Sequence, residues 1–179
     1  MTGPRLTIAE INAMSAEAFL AALGAVFEHS PWIAERAFRA RPFADRAALH
    51  RAMTAVVEAA GPDEQLGLIR AHPDLAGKAA RAGAITVESV SEQAAAGLDR
   101  LSEAEFERFG RLNSRYQDRF AIPFIIAVRD HDKHAILAAF EARLGHDAEA
   151  ERAEAVRQIL RITELRLADL IGDGQAVKS

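Results

Sequence analysis

The amino-acid sequence predicts an all-α fold, a single-domain helical bundle of about seven to nine helices with one short extended insert near residues 122–128. Apolar residues recur three and four positions apart through most of the chain, and capping residues or Gly and Pro separate these stretches. The length of 179 residues suits one hydrophobic core, since single domains commonly contain about 100–200 residues. We therefore expect residues 1–179 to form one domain.

Two helices are predicted before residue 42. Ser15 can cap the first, and its apolar stripe is expected to continue as helix until Ser30-Pro31. The second runs from about Ile33 to Ala40 and ends at Arg41-Pro42, because the residue before a proline is disfavoured in the α region. The stripe of the first helix consists of Phe19, Leu20, Leu23, Val26 and Phe27.

The next helix is expected to begin at Asp45 and to end at Gly61-Pro62, the signal typical of a helix C-terminus. A short helix then leads into His72-Pro73. The stripe of the longer helix consists of Leu49, Met53, Val56 and Val57.

Three further helices are predicted in the second half of the chain. Ser102 and Glu105 have capping-box spacing at the start of one helix. Another extends from Asp132 to Gly145, and the last from Asp147 to about Ile171. The segment Phe120–Val128 differs from these, because a proline followed by β-branched apolar residues favours a buried extended run. Its backbone amides are candidates to face a ligand.

The composition excludes several classes of function. A net charge of −4, from 26 acidic and 22 basic residues, lacks the positive charge that nucleic-acid binding needs. The absence of cysteine excludes disulfides and thiolate chemistry and is typical of a reducing compartment. No signal-peptide h-region and no run of about 18 apolar residues occurs, so we expect a cytoplasmic protein that does not enter membranes.

His72 is the first candidate catalytic residue. It ends a predicted helix, and Pro73 fixes the chain direction after it, so the imidazole is expected on a rigid corner. An imidazole has an unperturbed pKa of about 6.5 and can transfer a proton at neutral pH. The alternative is that His72 only caps the helix C-terminus, where a cation meets the helix dipole.

A second candidate site is the predicted helix entry Thr86–Gln93, whose first amides can bind anions or carbonyl groups. Ser89 and Glu92 have capping-box spacing, so capping alone is one interpretation. The run of small residues at 94–97 leaves room beside this polar cluster. That room favours a ligand site as the other interpretation.

Arg166 lies inside the apolar stripe of the last predicted helix, among Ile159, Ile162 and Leu170. A buried guanidinium needs a carboxylate partner, which either the protein or a ligand can supply. No metal site is expected, because His131 and His134 flank a lysine and no HExxH motif occurs. Dinucleotide and phosphate-binding glycine motifs are absent as well.

Four blocks of the sequence resemble one known family, the 2-oxo-4-hydroxy-4-carboxy-5-ureidoimidazoline (OHCU) decarboxylases of urate degradation. The resemblance covers nearly the whole domain, and Arg166-Leu167 matches a further Arg-Leu pair of that family. One difference is Ala121, where the family usually has glycine. The blocks are Phe27–Trp32, His72–Gly77, Glu88–Leu98, and Asn113–Tyr116 leading through Phe120 to Ile126.

The resemblance implies an all-helical homodimer, a carboxy-lyase that needs no cofactor and converts OHCU to (S)-allantoin. It implies that His72 transfers the catalytic proton, that Glu92 binds polar groups of the substrate, and that Arg166 meets substrate charge. The residues it places against the substrate are Pro73, Ser89, Val90, Ser91, Glu92, Gln93, Phe124, Ile125, Ile126, Ala127 and Val128.

Two other functions remain open from the residues themselves. One is a different cofactor-free lyase or isomerase acting on a small carboxylated heterocycle with the same His, Glu and Arg set. The other is a helical interaction module in which Glu92 and Arg166 are members of structural ion pairs.

Overall fold

The computed structural model describes residues 5–77 and 86–172. Within these ranges it contains nine α-helices, three short 3₁₀-helices and no strand, so the predicted all-α bundle of seven to nine helices is confirmed. None of these helices is long and apolar enough to cross a membrane. The helices are α1 Ile8–Ala13, α2 Ala16–Leu23, α3 Trp32–Ala37, α4 Arg46–Ala59, α5 Pro62–Arg70, α6 Val87–Ala95, α7 Glu103–Phe120, α8 Lys133–Arg143 and α9 Ala148–Leu170.

The described residues divide into two compact units. One unit comprises the chain up to Gln65 together with the chain from Leu160, and the other comprises Leu66 to Ile159. Helices α5 and α9 contain the two boundaries.

In the first unit, α3 packs against α2 and α4. Phe19 contacts the ring of Phe38 edge-on and the ring of Phe43 in a stacked arrangement. Asn12 binds the backbone of Phe43 at both its amide and its carbonyl, each at 2.8 Å. The apolar side chains buried in this unit include Ile11, Phe19, Leu23, Phe27, Ile33, Leu49, Met53, Val57 and Leu167.

The second unit has an aromatic core. The rings of Phe124 and Phe140 stack with centroids 3.6 Å apart, and Tyr116 meets both rings edge-on. Phe109 contacts Phe140 from α7. Aromatic pairs add about 0.5–1.5 kcal/mol each beyond the apolar area that they bury. This cluster therefore fixes the run that follows α7 against α8.

The predicted helix starts are confirmed at their caps. The side chains of Asp45, Ser102 and Asp132 accept hydrogen bonds from first-turn amides of α4, α7 and α8. Ser102 and Glu105 form the predicted capping box. Lys133 adds a second partner for Glu105, and together these contacts lower the pKa of that carboxyl to about 2.

One helix boundary was predicted wrongly, and one helix was not predicted. Helix α2 begins after its Ser15 cap as expected but ends at Leu23, well before Ser30-Pro31. Glycine at position 24 is a poor helix former, and the amide of Val26 then bonds the carbonyl of Leu23 in a turn. The spacing of the apolar residues indicates only that their side chains are buried, and a buried turn gives the same spacing as a helix. Helix α1 was missed although Thr7 and Glu10 form a capping box.

The predicted extended insert is buried and non-helical. Residues 122–127 form neither helix nor strand, and Val128 begins the 3₁₀-helix Val128–Asp130. Ala121 ends α7 in the left-handed region, with φ 54°. A side chain is disfavoured there, which explains why a glycine would suit this position.

We expect Ala121→Gly to raise the free energy of unfolding by a few tenths to about 1 kcal/mol. The left-handed conformation costs an L-residue roughly 1–2 kcal/mol, and the greater freedom of glycine in the unfolded chain offsets part of the gain. Urea unfolding measures the change. Ala138→Gly, at an exposed position within α8, is the matched control and should lose about 1 kcal/mol. A less stable Ala121→Gly protein would contradict this account of the turn.

Candidate functional site

His72 follows α5 and is 8% exposed. Its Nδ1 lies 3.0 Å from the carbonyl oxygen of Leu68. A carbonyl oxygen only accepts, so Nδ1 carries a proton in this contact, and Nε2 is the nitrogen that gains or loses one. The imidazole is therefore buried with its orientation and tautomer set by the last turn of the helix. Capping of the helix C-terminus, one of the two sequence-based interpretations, is present through Nδ1.

The loop after His72 is held by side chains from two helices. The amide of Ala76, a residue with φ 49°, donates to Oε1 of Gln93 at 3.0 Å. Nδ2 of Asn113 donates to the carbonyl of Leu75 at 2.8 Å. Nε2 of Gln117 donates to Oδ1 of Asp74 at 2.7 Å. These three contacts fix the loop, and with it the position of His72.

Helix α6 does not begin as the capping-box interpretation required. Its N-cap is Thr86, whose side chain accepts from the amide of Ser89, so Ser89 lies within the first turn. The Ser89 and Glu92 capping box is therefore wrong, because the helix starts three residues earlier. Glu92 is half-buried on the helix, beside the buried Gln93. Among the other predicted substrate residues here, Ser89 is buried, Pro73 is half-buried, and Val90 and Ser91 are exposed.

The run Phe124–Val128 packs close to α6 through the 3₁₀-helix that starts at Val128. Phe124, Ile125 and Ile126 are 1%, 3% and 4% exposed. Within the described ranges, the backbone amides of these three residues donate no hydrogen bond. Buried amides are nearly always paired in proteins, so unpaired ones are a feature expected of a ligand site. The Ala127 amide differs, since it donates to Oε1 of Gln158 at 2.9 Å.

A buried ion pair lies behind this run. Glu151 is fully buried and accepts from Nε of Arg143 at 2.7 Å, from the Tyr116 hydroxyl, and from Nδ1 of His146 at 2.9 Å when that nitrogen is protonated. Nη1 of Arg143 donates to the carbonyl of Ile125 at 2.6 Å. Burial, reinforced by the bond to Glu151, raises the pKa of the Tyr116 hydroxyl far above its usual range. Tyr116 therefore stays protonated and donates to Glu151.

Arg166 lies in the other unit and is 6% exposed. Its Nη1 donates to Oε2 of Glu28 at 3.0 Å and to the carbonyl of Val26 at 3.3 Å. Glu28 is 2% exposed. The carboxylate partner that the sequence demanded is thus present in the protein. Of the two alternatives, a carboxylate from the protein or one from a ligand, this geometry corresponds to the first, an internal salt bridge.

The structure brings together one part of the predicted site within the second unit. The loop after His72, Gln93 of α6 and the run Phe124–Val128 all belong to it, whereas Arg166 belongs to the first unit. Among the described residues, no cluster of three or more His, Cys, Asp or Glu side chains could hold a metal ion.

Several residues of the site had no role assigned from sequence. Asn113, Tyr116 and Glu28 all fall in the blocks that resemble the known family, so a signal existed without a chemical interpretation. Arg143 has the sequence position of an ordinary cation near a helix C-terminus, and Gln158 that of a surface residue. Only the fold shows that both bind backbone of the buried run.

Comparison with known proteins gives consistent matches. The family model described as OHCU decarboxylase matches residues 12–168. The 2-oxo-4-hydroxy-4-carboxy-5-ureidoimidazoline decarboxylase of Haloferax volcanii is 43% identical over 92% of this chain and 95% of its own length. The protein of the same name from Amia calva is 37% identical over 90% of this chain and 93% of its own length. The uric acid degradation bifunctional protein PucL of Bacillus subtilis is 44% identical over 92% of this chain, which spans 33% of that longer protein.

Two solved structures share the fold. The crystal structure of (S)-allantoin synthase matches with a TM-score of 0.72 and 31% identity over 93% of this chain and 54% of that one. An OHCU decarboxylase crystallised in the presence of (S)-allantoin matches with a TM-score of 0.66 over 88% and 98% of the two chains, and at 19% identity it supports the fold alone. Because the family model spans most of the chain and relatives above 30% identity span nearly all of it, the chain belongs to the OHCU decarboxylase family of carboxy-lyases.

Proposed function

We propose that this protein decarboxylates OHCU to (S)-allantoin without a cofactor. The observation that carries the proposal is a buried imidazole of fixed tautomer in the same unit as a run of buried amides that have no acceptor among the described residues. A proton donor and a set of fixed dipoles are what a decarboxylation with an internal electron sink requires. Family membership names the substrate.

The reaction balances with the substrate and one proton. The bond from the ring carbon to the carboxylate breaks, CO₂ leaves, and the electron pair enters the conjugated C=N and C=O groups of the ring. The hydroxyl on the carbon that lost CO₂ becomes a carbonyl as its proton passes to the ring nitrogen, and the one added proton joins the neighbouring carbon that bears the ureido group. Because the ring accepts the electrons, the protein has only to orient the carboxylate, stabilise the developing charge and supply the proton to one face.

His72 is the proposed proton donor through Nε2. After that transfer the neutral imidazole keeps its proton on Nδ1, the form that the Leu68 carbonyl stabilises. Before transfer the imidazolium carries a proton on both nitrogens, so Nδ1 donates to Leu68 in that form as well. Both states of the catalytic cycle are therefore accommodated by one backbone contact.

The remaining site residues are proposed to bind substrate. Glu92, with Ser89, Val90, Ser91 and Gln93, would form the α6 side of the pocket, with the carboxylate of Glu92 accepting from hydroxyl or ureido groups. Gln93 Oε1 already accepts from Ala76, so its amide nitrogen is the group offered to a ligand.

On the other side, Pro73 and the run Phe124–Val128 would line the pocket. Phe124, Ile125 and Ile126 would offer backbone amides. Ala127 would contribute atoms other than its amide, which Gln158 binds. Val128 would close this side at the start of its 3₁₀-helix.

Arg166 is proposed to contribute positive charge to the substrate site, on the support of the family resemblance. Its contact with Glu28 favours the structural alternative, and the two interpretations predict different measurements.

We further propose that residues 1–179 act as one OHCU decarboxylase-like domain, since the family model crosses both units. A homodimer is proposed from the resemblance, and a cytoplasmic location from the cysteine-free composition. Light scattering on a sizing column and imaging of a fluorescent fusion test these two statements.

The test of the proposed activity is chiral detection of allantoin. Urate is converted by the upstream enzymes to freshly formed OHCU, and the product is analysed with and without this protein. A rapid excess of the (S) form is expected with the protein. An unchanged rate and a racemic product would leave the interaction-module alternative, and turnover of other carboxylated heterocycles in preference to OHCU would favour a different lyase.

Replacement of His72 by Asn should lower kcat by at least about 10²-fold, the usual contribution of a general acid. The amide nitrogen of Asn can still donate to Leu68, so the fold should be retained. His134→Asn, at an exposed position, is the control and should keep the parent rate. Near-parent turnover by folded His72→Asn protein at saturating substrate would remove His72 from the mechanism.

Glu92→Gln separates catalysis from helix stability. Thr86 caps α6, so the change should barely alter the unfolding free energy. Loss of a charge-assisted hydrogen bond to substrate should lower kcat/KM at least about tenfold. Glu88→Gln removes an exposed carboxylate from the same helix and should leave kcat/KM unchanged. Equal rates for parent and Glu92→Gln protein would show that Glu92 does not act on the substrate.

Arg166→Lys and Glu28→Gln together decide the role of Arg166. If the guanidinium binds substrate, Arg166→Lys should lower kcat/KM at least about tenfold, since an ammonium lacks the planar fork. Glu28→Gln, which leaves Arg166 in place, should lower stability by up to about 3–5 kcal/mol with a smaller kinetic effect. Should both folded variants keep parent kinetics and lose only melting temperature, Arg166 is a structural residue.

A further inference from the structure

Two consecutive peptide groups in the buried run are held by side chains from different helices. The carbonyl of Ile125 accepts from Arg143 of α8, and the amide of Ala127 donates to Gln158 of α9. In a planar trans peptide the C=O and the following N–H point in opposite directions. The amide of Ile126 therefore points away from Arg143, and the carbonyl of Ile126 points away from Gln158.

The N–H and C=O groups of Ile126 therefore point away from the Arg143 and Gln158 side chains. The residue is 4% exposed, and within the described ranges neither its amide nor its carbonyl has a hydrogen-bond partner. Leaving a buried polar group unpaired destabilises a protein. Two such groups on one residue point to a ligand that supplies an acceptor and a donor side by side.

We propose that Arg143 and Gln158 are positioning residues that turn the amide and carbonyl of Ile126 toward the substrate. The inference rests on the proposed function, in which this run lines the site. The matching chemistry is a ring or ureido edge with adjacent C=O and N–H groups, which pairs with one residue through two hydrogen bonds. An analogue that lacks the C=O or the N–H group should bind more weakly, because the amide or carbonyl of Ile126 then stays buried without a partner.

The orientation of Arg143 is itself fixed by charge. Glu151 is completely buried and binds Nε of Arg143, while the guanidinium lies over the Phe124 ring with its carbon 4.3 Å from the ring centroid. An unpaired buried carboxylate is strongly destabilising, so separating Arg143 from Glu151 would cost much free energy. Tyr116 and His146 complete the surroundings of Glu151. The guanidinium of Arg143 is therefore held in one orientation, in which it contacts the carbonyl of Ile125.

Two test variants and two matched controls examine the proposal. Arg143→Lys keeps the charge beside Glu151 but lacks the fork that reaches Ile125, and Gln158→Met keeps length but removes the acceptor for Ala127. Arg108→Lys makes the same change at an exposed arginine of α7, which pairs with Glu141 at 2.6 Å and has no contact with Ile125. Glu154→Ala removes the carboxylate that accepts from Nε2 of Gln158 at 2.7 Å without touching Ala127.

Each protein is compared by urea unfolding, by kcat and KM on OHCU, and by NMR of ¹⁵N-isoleucine-labelled protein titrated with (S)-allantoin. Both test variants should lower kcat at least about tenfold as folded proteins, since one misplaced oxyanion-type donor costs about 10²–10³-fold. They should also lose the ligand-induced shift of the Ile126 amide signal. The controls should keep kcat within about twofold and retain that shift, whatever their stability.

If kcat falls in the test variants and in the control variants alike, in proportion to the loss of unfolding free energy, the positioning role is wrong. An Ile126 amide shift that persists in both test variants would also overturn it. A parent protein without turnover of OHCU overturns the proposed function separately. The Ile126 signal in the ligand-free variants then still decides the orientation, because it should move in Arg143→Lys and not in Arg108→Lys.

Discussion

Backbone that is buried without being helical must find hydrogen-bond partners outside itself, and this requirement governs the second unit. Helices pair their own amides and carbonyls, whereas the loop after His72 and the run at 122–127 cannot. The chain meets the need with long polar side chains placed on helices, each bonded to one group of these two segments. They are Gln93, Asn113, Arg143 and Gln158, and Gln117 adds a bond to the Asp74 side chain. Among the described residues, the amides of Phe124, Ile125 and Ile126, in the run proposed to face the substrate, have no acceptor.

Among its described residues, each unit also buries a carboxylate paired with a guanidinium. Glu28 with Arg166 and Glu151 with Arg143 are similar in exposure and in chemistry. Such pairs contribute little net stability compared with apolar residues of the same volume, but either partner alone is costly. Their effect is therefore geometric, because each arginine also reaches a backbone carbonyl, of Val26 in one unit and of Ile125 in the other.

Most of the helical architecture was predictable because local chemistry determines it. The caps at Asp45, Ser102 and Asp132 act within one turn, so sequence spacing reveals them. The end of α2 was not predictable in the same way, since apolar spacing reports burial and a buried turn produces the same pattern. The start of α6 was ambiguous because Thr86 and Ser89 are both good capping residues, and only the folded backbone selects one.

The candidate site was predicted where residue type alone suggests chemistry, as at His72. The positioning contacts were not, because Arg143 and Gln158 act across sequence separations of 18 and 31 residues on backbone atoms. Backbone atoms carry no residue-specific signal. The partner of Arg166 was predicted as a chemical need, a carboxylate, without its identity as Glu28, which is 138 positions away.

The bond between His72 and Leu68 has a further consequence for the order of events in a catalytic cycle. With Nδ1 occupied by a backbone carbonyl, the imidazole has a single nitrogen that exchanges protons, and that nitrogen is the one proposed to face the substrate. A backbone carbonyl cannot pass a proton on, so the Leu68 contact does not recharge the ring. In the proposed mechanism, the nitrogen that gives its proton to the substrate is therefore also the nitrogen that takes up the next one.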